Sequence, residues 1–161
     1  DYNKFVTQNG CVKIDFTPKP KWEIELINNR PWTQDDAKYW LQYRIGSSML
    51  SKYNVRPINY YNLVKSNKGT IDKKTIRGKN IYGYYNKHGQ AFKIYQPLRD
   101  GFKFYKIEPY TQGLDQLKYN EPYLVICSSL KDAMCLKSFG YNIPNKRVSS
   151  ILLKSSIRRF N

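Results

Sequence analysis

Hydrophobic and polar residues alternate along several short stretches of the chain, and such alternation is typical of half-buried β-strands. Two of these stretches, residues 11–16 and 22–27, flank a pair of prolines near the start of the sequence. Four more follow in the middle of the chain, separated by glycines or by turns such as Lys87-His88-Gly89, at residues 58–64, 81–86, 91–96 and 102–107. The pattern predicts antiparallel strands that follow one another as a meander.

Between the second and third of these strands the apolar spacing changes to that of helices. Thr33 stands where a helix N-cap is expected, with Asp36 three residues later. Apolar residues then recur at helical spacing before Gly46, namely Ala37, Trp40 and Leu41. A second short helix is predicted with Ser47 as its N-cap, and it ends before Val55. A short helical pair therefore precedes the meander.

Three further stretches complete the prediction of structure. Residues 65–79 carry many positive charges and few apolar residues, so a mobile loop or an irregular edge of the sheet is expected. Residues 123–127 form a continuous apolar run, typical of a buried parallel strand, and a helical pattern follows as far as Phe139. A last helix is predicted over residues 149–160. The predicted fold class is α+β, with an antiparallel sheet and a short helical pair followed by a β-α unit.

The net charge indicates a class of partner. The 161 residues include 28 Lys and Arg against 12 Asp and Glu, which gives a formal charge of +16 and a pI near 9.7. These positive residues are spread along the chain, and such a field favours a polyanion, above all nucleic acid. The alternative is that a composition rich in Lys, Asn and Tyr reflects an AT-rich genome, and that the charge only solvates the surface.

Several other classes of protein are disfavoured. No stretch reaches the roughly 18 apolar residues of a membrane span, and the first residues lack a signal-peptide pattern, so a cytoplasmic protein without a membrane partner is expected. Cys11, Cys127 and Cys135 form no C-x-x-C pair, and His88 is the one histidine. Neither a disulfide framework nor a zinc site is predicted, and no residue is assigned to a metal.

One motif resembles a known family. The apolar run 123–127 leads into Ser128-Ser-Leu-Lys-Asp132 and a helix that ends at Gly140, and this succession resembles the first motif of Toprim domains in bacteriophage and bacterial DNA primases. In the usual motif the strand ends in Glu-Gly, and an Asp follows after two further residues. The glutamate position is occupied here by Ser128. Catalytic residues therefore stay unassigned in a degenerate motif that consists of Ser128, Ser129, Lys131 and Asp132.

The similarity to phage primases covers roughly residues 22–160. The stretch from Trp32 to Val55 is similar to their helical entry, and residues 93–117 are similar to the sheet and connector of their polymerase region. The resemblance implies two units. Residues 1–118 correspond to the amino-terminal subdomain of a primase polymerase region, and residues 119–161 correspond to an incomplete Toprim subdomain with its opening β-α unit.

The resemblance also implies the chemistry of the complete enzyme. A second Toprim strand with an Asp-x-Asp pair, expected beyond Asn161, would hold Mg²⁺ and orient nucleoside triphosphates. This chain alone is expected to hold no cofactor and to be inactive. The implied partners are single-stranded DNA template, and a replicative helicase or a polypeptide that completes the Toprim domain. A phage-encoded protein of this kind acts in the host cytoplasm.

The turn after the apolar run also has a purely structural interpretation. Ser129 and Asp132 match the S-x-x-D capping box, in which a serine hydroxyl satisfies a backbone N–H at the start of a helix. A carboxylate is the usual ligand of Mg²⁺, whereas a serine hydroxyl brings no charge. Capping is therefore the favoured role of these residues, and it is compatible with a function nearby.

Residues 91–107 form the candidate template surface. Strict alternation places apolar side chains on one face and lysines with tyrosines on the other, so Phe104 is expected inside and Tyr105 outside. Ammonium groups neutralise phosphates, and tyrosine rings stack on bases. The predicted nucleic-acid-binding residues are Lys93, Tyr95, Arg99, Lys103, Tyr105 and Lys106. The alternative is an ordinary solvated sheet face.

From the sequence we expect part of a phage DNA primase that binds single-stranded DNA template for RNA primer synthesis during replication. The alternative is a non-catalytic nucleic-acid-binding module that retains a primase scaffold. A fragment of a Toprim-type nuclease or topoisomerase ranks third, because the residues upstream of the motif resemble those of primases.

Overall fold

The computed structural model describes residues 21–67, 69–116, 123–139, 142–143 and 146–152. The strand predicted at residues 11–16 lies outside this part of the chain. The fold class is α+β, as predicted, and its main layer is a five-stranded antiparallel sheet. Its strands are β1 (Glu23–Asn29), β2 (Val55–Asn67), β3 (Thr70–Tyr85), β4 (Ala91–Tyr95) and β5 (Phe104–Lys106), which neighbour one another in chain order.

The long hairpin of β2 and β3 corrects the prediction for residues 65–79. Their ladder is regular from the pair Tyr60 and Arg77 to the pair Asn67 and Thr70, and Gly69 in the turn has a φ of +89°. The side chains near this tip are largely exposed on both faces, so no apolar alternation marks the strands. Backbone hydrogen bonds and a turn glycine maintain the strands there. A prediction from apolar alternation therefore cannot find them.

The sheet is curled, so that its two edge strands approach each other. The hydroxyl of Tyr105 on β5 donates a hydrogen bond to the backbone carbonyl of Trp22, directly before β1. Side chains from both edges therefore share one core with the central strands. We call this the inner core; its buried members are Ile58, Tyr61, Leu63, Ile81 and Ile94, and Ile24, Ile27, Ile76, Tyr105 and Ile107 pack against them.

Helices cover the outer face of the sheet. They are α1 (Gln34–Leu41), α2 (Ser47–Lys52) and α3 (Leu130–Ser138). Trp40 of α1 is fully buried, and the Tyr39 hydroxyl lies 2.6 Å from the Tyr95 hydroxyl of β4. We call this second apolar cluster the helical core; it consists of Trp40, Ile45, Leu50, Tyr53, Val55, Tyr82, Tyr84, Phe92, Tyr95, Leu130, Ala133 and Met134.

The start of α1 agrees with the sequence, but its buried face does not. Thr33 and Asp36 form the predicted reciprocal capping box. Of the predicted apolar stripe, Trp40 is buried, whereas Ala37 is exposed and Leu41 is 60% exposed. The other side chain of α1 that is fully buried is Asp36, one helical turn before Trp40.

The buried Asp36 carboxylate joins α1 to the sheet. It accepts hydrogen bonds from both terminal nitrogens of Arg30, at 2.5 and 2.8 Å, and from the Tyr82 hydroxyl of β3 at 2.9 Å. The backbone N–H and hydroxyl of Thr33 donate to the same group. Burial raises the pKa of Asp36, but these hydrogen bonds outweigh it and hold the pKa at about 2. The charge is thus fully compensated.

The predicted cap of the second helix is wrong by one residue. Gly46 occupies the N-cap position of α2 and forms no side-chain cap, and Ser47 is the first helical residue. Leu50 is buried in the helical core, and α2 ends before Val55 as predicted. A six-residue helix of this kind is maintained by packing more than by its cap.

The second sheet contains a parallel pair of strands. β6 (Tyr123–Ile126) pairs in parallel with β8 (Lys146–Leu152), and α3 lies between them in sequence, while β7 (Asn142–Ile143) pairs antiparallel with β8. The parallel strand and the helix after it are confirmed. The helix predicted from residue 149 is wrong as far as residue 152, because this apolar stretch pairs with β6; residues 153–160 lie outside the described chain.

Candidate nucleic-acid interface

The β4–β5 hairpin, predicted as the template surface, has a different register from the predicted one. Lys93 pairs with Lys106, Ile94 with Tyr105, and Tyr95 with Phe104. Because cross-strand partners share a face, Tyr105 lies with Ile94 on the inner side of the sheet. A one-residue shift of register turns every side chain of a strand to the opposite face. The alternation of β5 was therefore assigned to the wrong faces.

Both tyrosines that were predicted to stack on bases pack against other side chains of the protein. Tyr95 is 5% exposed, and its ring stacks on Phe104 with centroids 4.8 Å apart. Its hydroxyl is shared with Tyr39, as described above. Tyr105 packs against the inner core. Burial raises the pKa of both tyrosine hydroxyls. Tyr95 is buried under the helices and Tyr105 is turned toward the inner core, so neither ring offers the open stacking surface that the sequence predicted.

The predicted lysines differ in their exposure. Lys93 is partly covered, and its Nζ lies 4.1 Å from the centroid of the Phe104 ring. Burial lowers the pKa of Lys93, and the nearby charge of Lys106 lowers it further. Lys103 and Lys106 are exposed. Of the predicted set, Lys103 and Arg99 are the cations that extend from the turn between the two strands.

Arg99 lines one groove together with two positive side chains of residues 65–79, a segment that the sequence predicted as a loop or an irregular edge. Within the described chain, the ladder between β3 and β4 joins residues 82–85 to residues 91–95. Beyond it the two segments separate and leave an open groove of about 370 Å³. We call this the basic groove; it is lined by Thr75, Ile76, Arg77, Gly78, Lys79 and Ile81 of β3 and by Gln96, Leu98 and Arg99 of the β4–β5 turn.

A bulge in β3 forms one wall of the basic groove. Ile58 of β2 pairs with Ile81 of β3, and Tyr60 of β2 pairs with Arg77 of β3. One residue of β2 between these two pairs therefore faces three residues of β3. Asn80 in the bulge has a φ of +56°, a conformation that asparagine tolerates better than most residues. Its amide donates to the Tyr82 hydroxyl at 3.0 Å. Bulges of this kind redirect side chains, and here Lys79 lines the groove.

The arginines of the basic groove are positioned by tyrosines. The Cζ atom of Arg77 lies 4.3 Å from the ring centroid of Tyr60, its cross-strand partner. Nη1 of Arg99 donates to the hydroxyl of Tyr61 at 3.3 Å. Such contacts orient a guanidinium and leave its remaining N–H groups for other acceptors. The positive charge of residues 65–79 was the signal that could have identified Arg77 and Lys79.

The most exposed aromatic side chain of the hairpin is a phenylalanine in the turn. Phe102 is 89% exposed in the β4–β5 turn, and Leu98 in the same turn is 63% exposed. Arg99 and Lys103 lie beside them in sequence. Aromatic and positive side chains, which the sequence predicted together on a strand face, therefore occur together in the turn, with Phe102 in place of the predicted tyrosines.

The turn that resembles a Toprim motif is a closed hydrogen-bonded cap. The Ser128 hydroxyl donates to Oδ2 of Asp132 at 2.7 Å, and Nζ of Lys131 lies 3.5 Å from Oδ1. The Ser129 hydroxyl accepts from the backbone N–H of Asp132 at 3.2 Å. Burial raises the pKa of Asp132, but these hydrogen bonds and the Lys131 charge hold it below its usual range. Both carboxylate oxygens are engaged.

Replacing Ser129 with alanine is expected to lower the free energy of unfolding by about 1 kcal/mol, because the backbone N–H at the third position of α3 loses its acceptor. Chemical denaturation measures this effect. Ser48→Ala, an exposed serine inside α2, is the matched control and should change stability by less than half as much. Equal effects of the two substitutions would show that Ser129 does not stabilise the helix as a cap.

The described part of the chain was compared with the requirements of a metal site and of a membrane span in two respects: its acidic, histidine and cysteine side chains, and the length of its helices. No group of three or more His, Cys, Asp or Glu side chains is placed there to hold a metal ion. No helix in this part of the chain is long and apolar enough to cross a membrane. Comparison of the chain with models of known families, with curated proteins and with solved structures finds no match.

Proposed function

We propose that this chain binds single-stranded DNA as the template-binding part of a phage-type DNA primase. The observation that carries the proposal is the meeting of Arg77, Lys79 and Arg99 around one open groove, in a chain with a net charge of +16. Phosphate contacts from Lys and Arg supply most of the affinity for single strands. Exposed Phe102 and Lys103 extend the surface from the groove along the β4–β5 turn.

The second sheet supports the primase context. β6 and β8 are parallel strands with α3 and the short β7 between them in sequence, and the turn after β6 carries the motif that resembles Toprim domains. Primer synthesis needs carboxylates that hold Mg²⁺ and orient the triphosphate. Ser128 stands at the glutamate position, and Asp132 is engaged by Ser128 and Lys131. We therefore propose that this chain binds template and does not itself carry out nucleotidyl transfer.

The wild-type chain is expected to bind a short fluorescein-labelled oligothymidylate, with an affinity that falls as salt rises. Three phosphate contacts at a slope of about −0.7 each give a log–log salt slope near −2. Fluorescence anisotropy at several salt concentrations measures it. Unlabelled single-stranded DNA should displace the probe much better than polyglutamate of equal charge. Equal displacement by the two polymers, or no binding at low salt, would contradict the proposal.

The engagement of Asp132 also favours the second candidate, a nucleic-acid-binding module without catalytic activity. The two candidates share the basic groove, and they differ in whether a longer form of the protein makes primers. A primer-synthesis assay with Mg²⁺ and ribonucleotides, on the parent protein, separates them. Labelled RNA products from a single-stranded template support the primase, and bound template without products supports the non-catalytic module.

A further inference from the structure

One buried amide in the basic groove lacks an acceptor. Gln96 is 4% exposed and lines the groove at the start of the β4–β5 turn. Among the described residues, its Nε2 has no hydrogen-bond partner. Burial raises the pKa of the neighbouring Tyr61 hydroxyl, whereas the charge of Arg99 and the Gln96 amide lower it. An unsatisfied buried donor is uncommon in folded proteins and calls for an explanation.

The backbone fixes Gln96 in this position. Its N–H donates to the carbonyl of Lys103 at 2.8 Å, and its carbonyl accepts from the N–H of Arg99 at 3.2 Å. The residue is thus held at both ends of the turn that carries Arg99 into the groove. The backbone of Gln96 is therefore held at the edge of the groove.

We propose that the basic groove is a phosphate pocket, in which Nε2 of Gln96 donates to a phosphate oxygen while Arg77 and Arg99 balance the charge. The pocket rests on the proposed function and gives it a chemical class of ligand. A planar guanidinium matches two oxygens of one phosphate, and a neutral amide adds a directed donor at low exposure. A cation is disfavoured because three positive side chains line the same space. A lone water molecule satisfies the amide but leaves these charges unbalanced.

The phosphate has two possible sources, the backbone of bound DNA and a free nucleotide. Inorganic phosphate is the probe for the shared chemistry, and its effect on melting temperature is measured at constant ionic strength against sodium chloride. Phosphate should raise the melting temperature of the wild-type chain. Competition against labelled oligothymidylate then separates the sources. If the DNA backbone fills the pocket, phosphate displaces the oligonucleotide; if a nucleotide fills it, a nucleoside triphosphate binds without displacing DNA.

Gln96→Met removes the amide donor with little change of volume, and Gln34→Met at the exposed start of α1 is the control. Gln96→Met is expected to weaken phosphate binding about tenfold, since a hydrogen bond to a charged group is lost. Without phosphate, its melting temperature should equal or exceed that of the wild type, because an unsatisfied donor is gone. A purely structural role for Gln96 predicts a lower melting temperature instead. Phosphate affinity equal to wild type in Gln96→Met would overturn the pocket.

The two proposals can fail separately. Phosphate binding that depends on Gln96, without any binding of single-stranded DNA, would overturn the proposed function and leave the pocket standing. Binding of DNA that depends on Arg77 and Arg99, with no effect of Gln96→Met on phosphate, would overturn the pocket and leave the proposed function standing.

Discussion

Alanine in place of Asp36 is expected to lower the free energy of unfolding by about 3 kcal/mol. The substitution removes the acceptor of the Arg30 guanidinium and leaves the Tyr82 hydroxyl, buried in the helical core, without its carboxylate partner. It also abolishes one half of the capping box with Thr33. The expected loss is larger than that of an exposed ion pair, because the Asp36 side chain is 1% exposed. Urea denaturation followed by tyrosine and tryptophan fluorescence measures it.

Asp35→Ala is the matched control for this substitution, because Asp35 is the preceding residue in the first turn of α1 and is exposed. Its loss removes a favourable charge near the helix N-terminus and is expected to cost about 0.5 kcal/mol. A cost for Asp36→Ala no larger than that of Asp35→Ala would show that the buried network does not join α1 to the sheet.

The pH dependence of stability gives an independent measure of the same network. The pKa of Asp36 is lowered from 3.8 to about 2 by folding. The unfolded chain therefore binds the proton more readily, and this residue contributes about 2 kcal/mol of stability above pH 4. The contribution is lost as the pH falls from about 4 to about 2. The stability of Asp36→Asn should not show this loss between about pH 4 and pH 2. If the variant loses the same stability as the wild type over this range, other carboxyl groups cause the loss.

Replacing Arg77 and Arg99 together with alanine is expected to flatten the salt slope for single-stranded DNA by about 1.4 units, since two phosphate contacts are lost. At about 0.1 M salt the same counterion term corresponds to a loss of affinity of roughly 20-fold. Fluorescence anisotropy across a salt series gives both quantities. The two residues come from β3 and from the β4–β5 turn, so a joint effect requires that both lie along one bound strand.

A charge-matched control separates contact from net charge. Lys52→Ala with Lys87→Ala removes two positive charges from exposed positions at the end of α2 and in the β3–β4 turn. This double variant should leave the slope within about 0.3 units of wild type, because distant charges are screened at moderate salt. If it flattens the slope as much as the arginine pair, the chain binds DNA through its general charge and the basic groove is not the site.

The sequence predicted the elements that bury one face and missed those that do not. β1 and β4 alternate between polar and apolar residues, and both were found within two residues of their ends. The outer half of the β2–β3 hairpin exposes both faces, so its charged residues show no apolar alternation from which the strands could be predicted. The last four residues of β8 were predicted as the start of a helix because a short apolar run fits both periods. The parallel pairing of β8 with β6 is a tertiary contact that no local pattern encodes.

The candidate site was predicted in its chemistry more than in its geometry. Arg99 was identified from its place in a basic hairpin, and the structure brings it to Arg77 and Lys79. The register of β5 decides which aromatic rings face outward, and that register depends on the turn and on the closure of the sheet. Tyr105 was therefore assigned to the wrong face. Tyr95 is buried for a different reason, its contact with α1, and Phe102 is the most exposed ring of the hairpin.

The closure of the curled sheet also determines how the molecule can fold. Trp22 and Tyr105, which meet at the seam, are separated by 83 positions in the chain. The entropy lost on closing so long a segment must be overcome before the contacts that close the inner core stabilise it. No single hairpin can form that core alone, because its apolar side chains come from β1 and β5 as well as from the strands between them. The curled sheet should therefore gain and lose its structure as one cooperative unit.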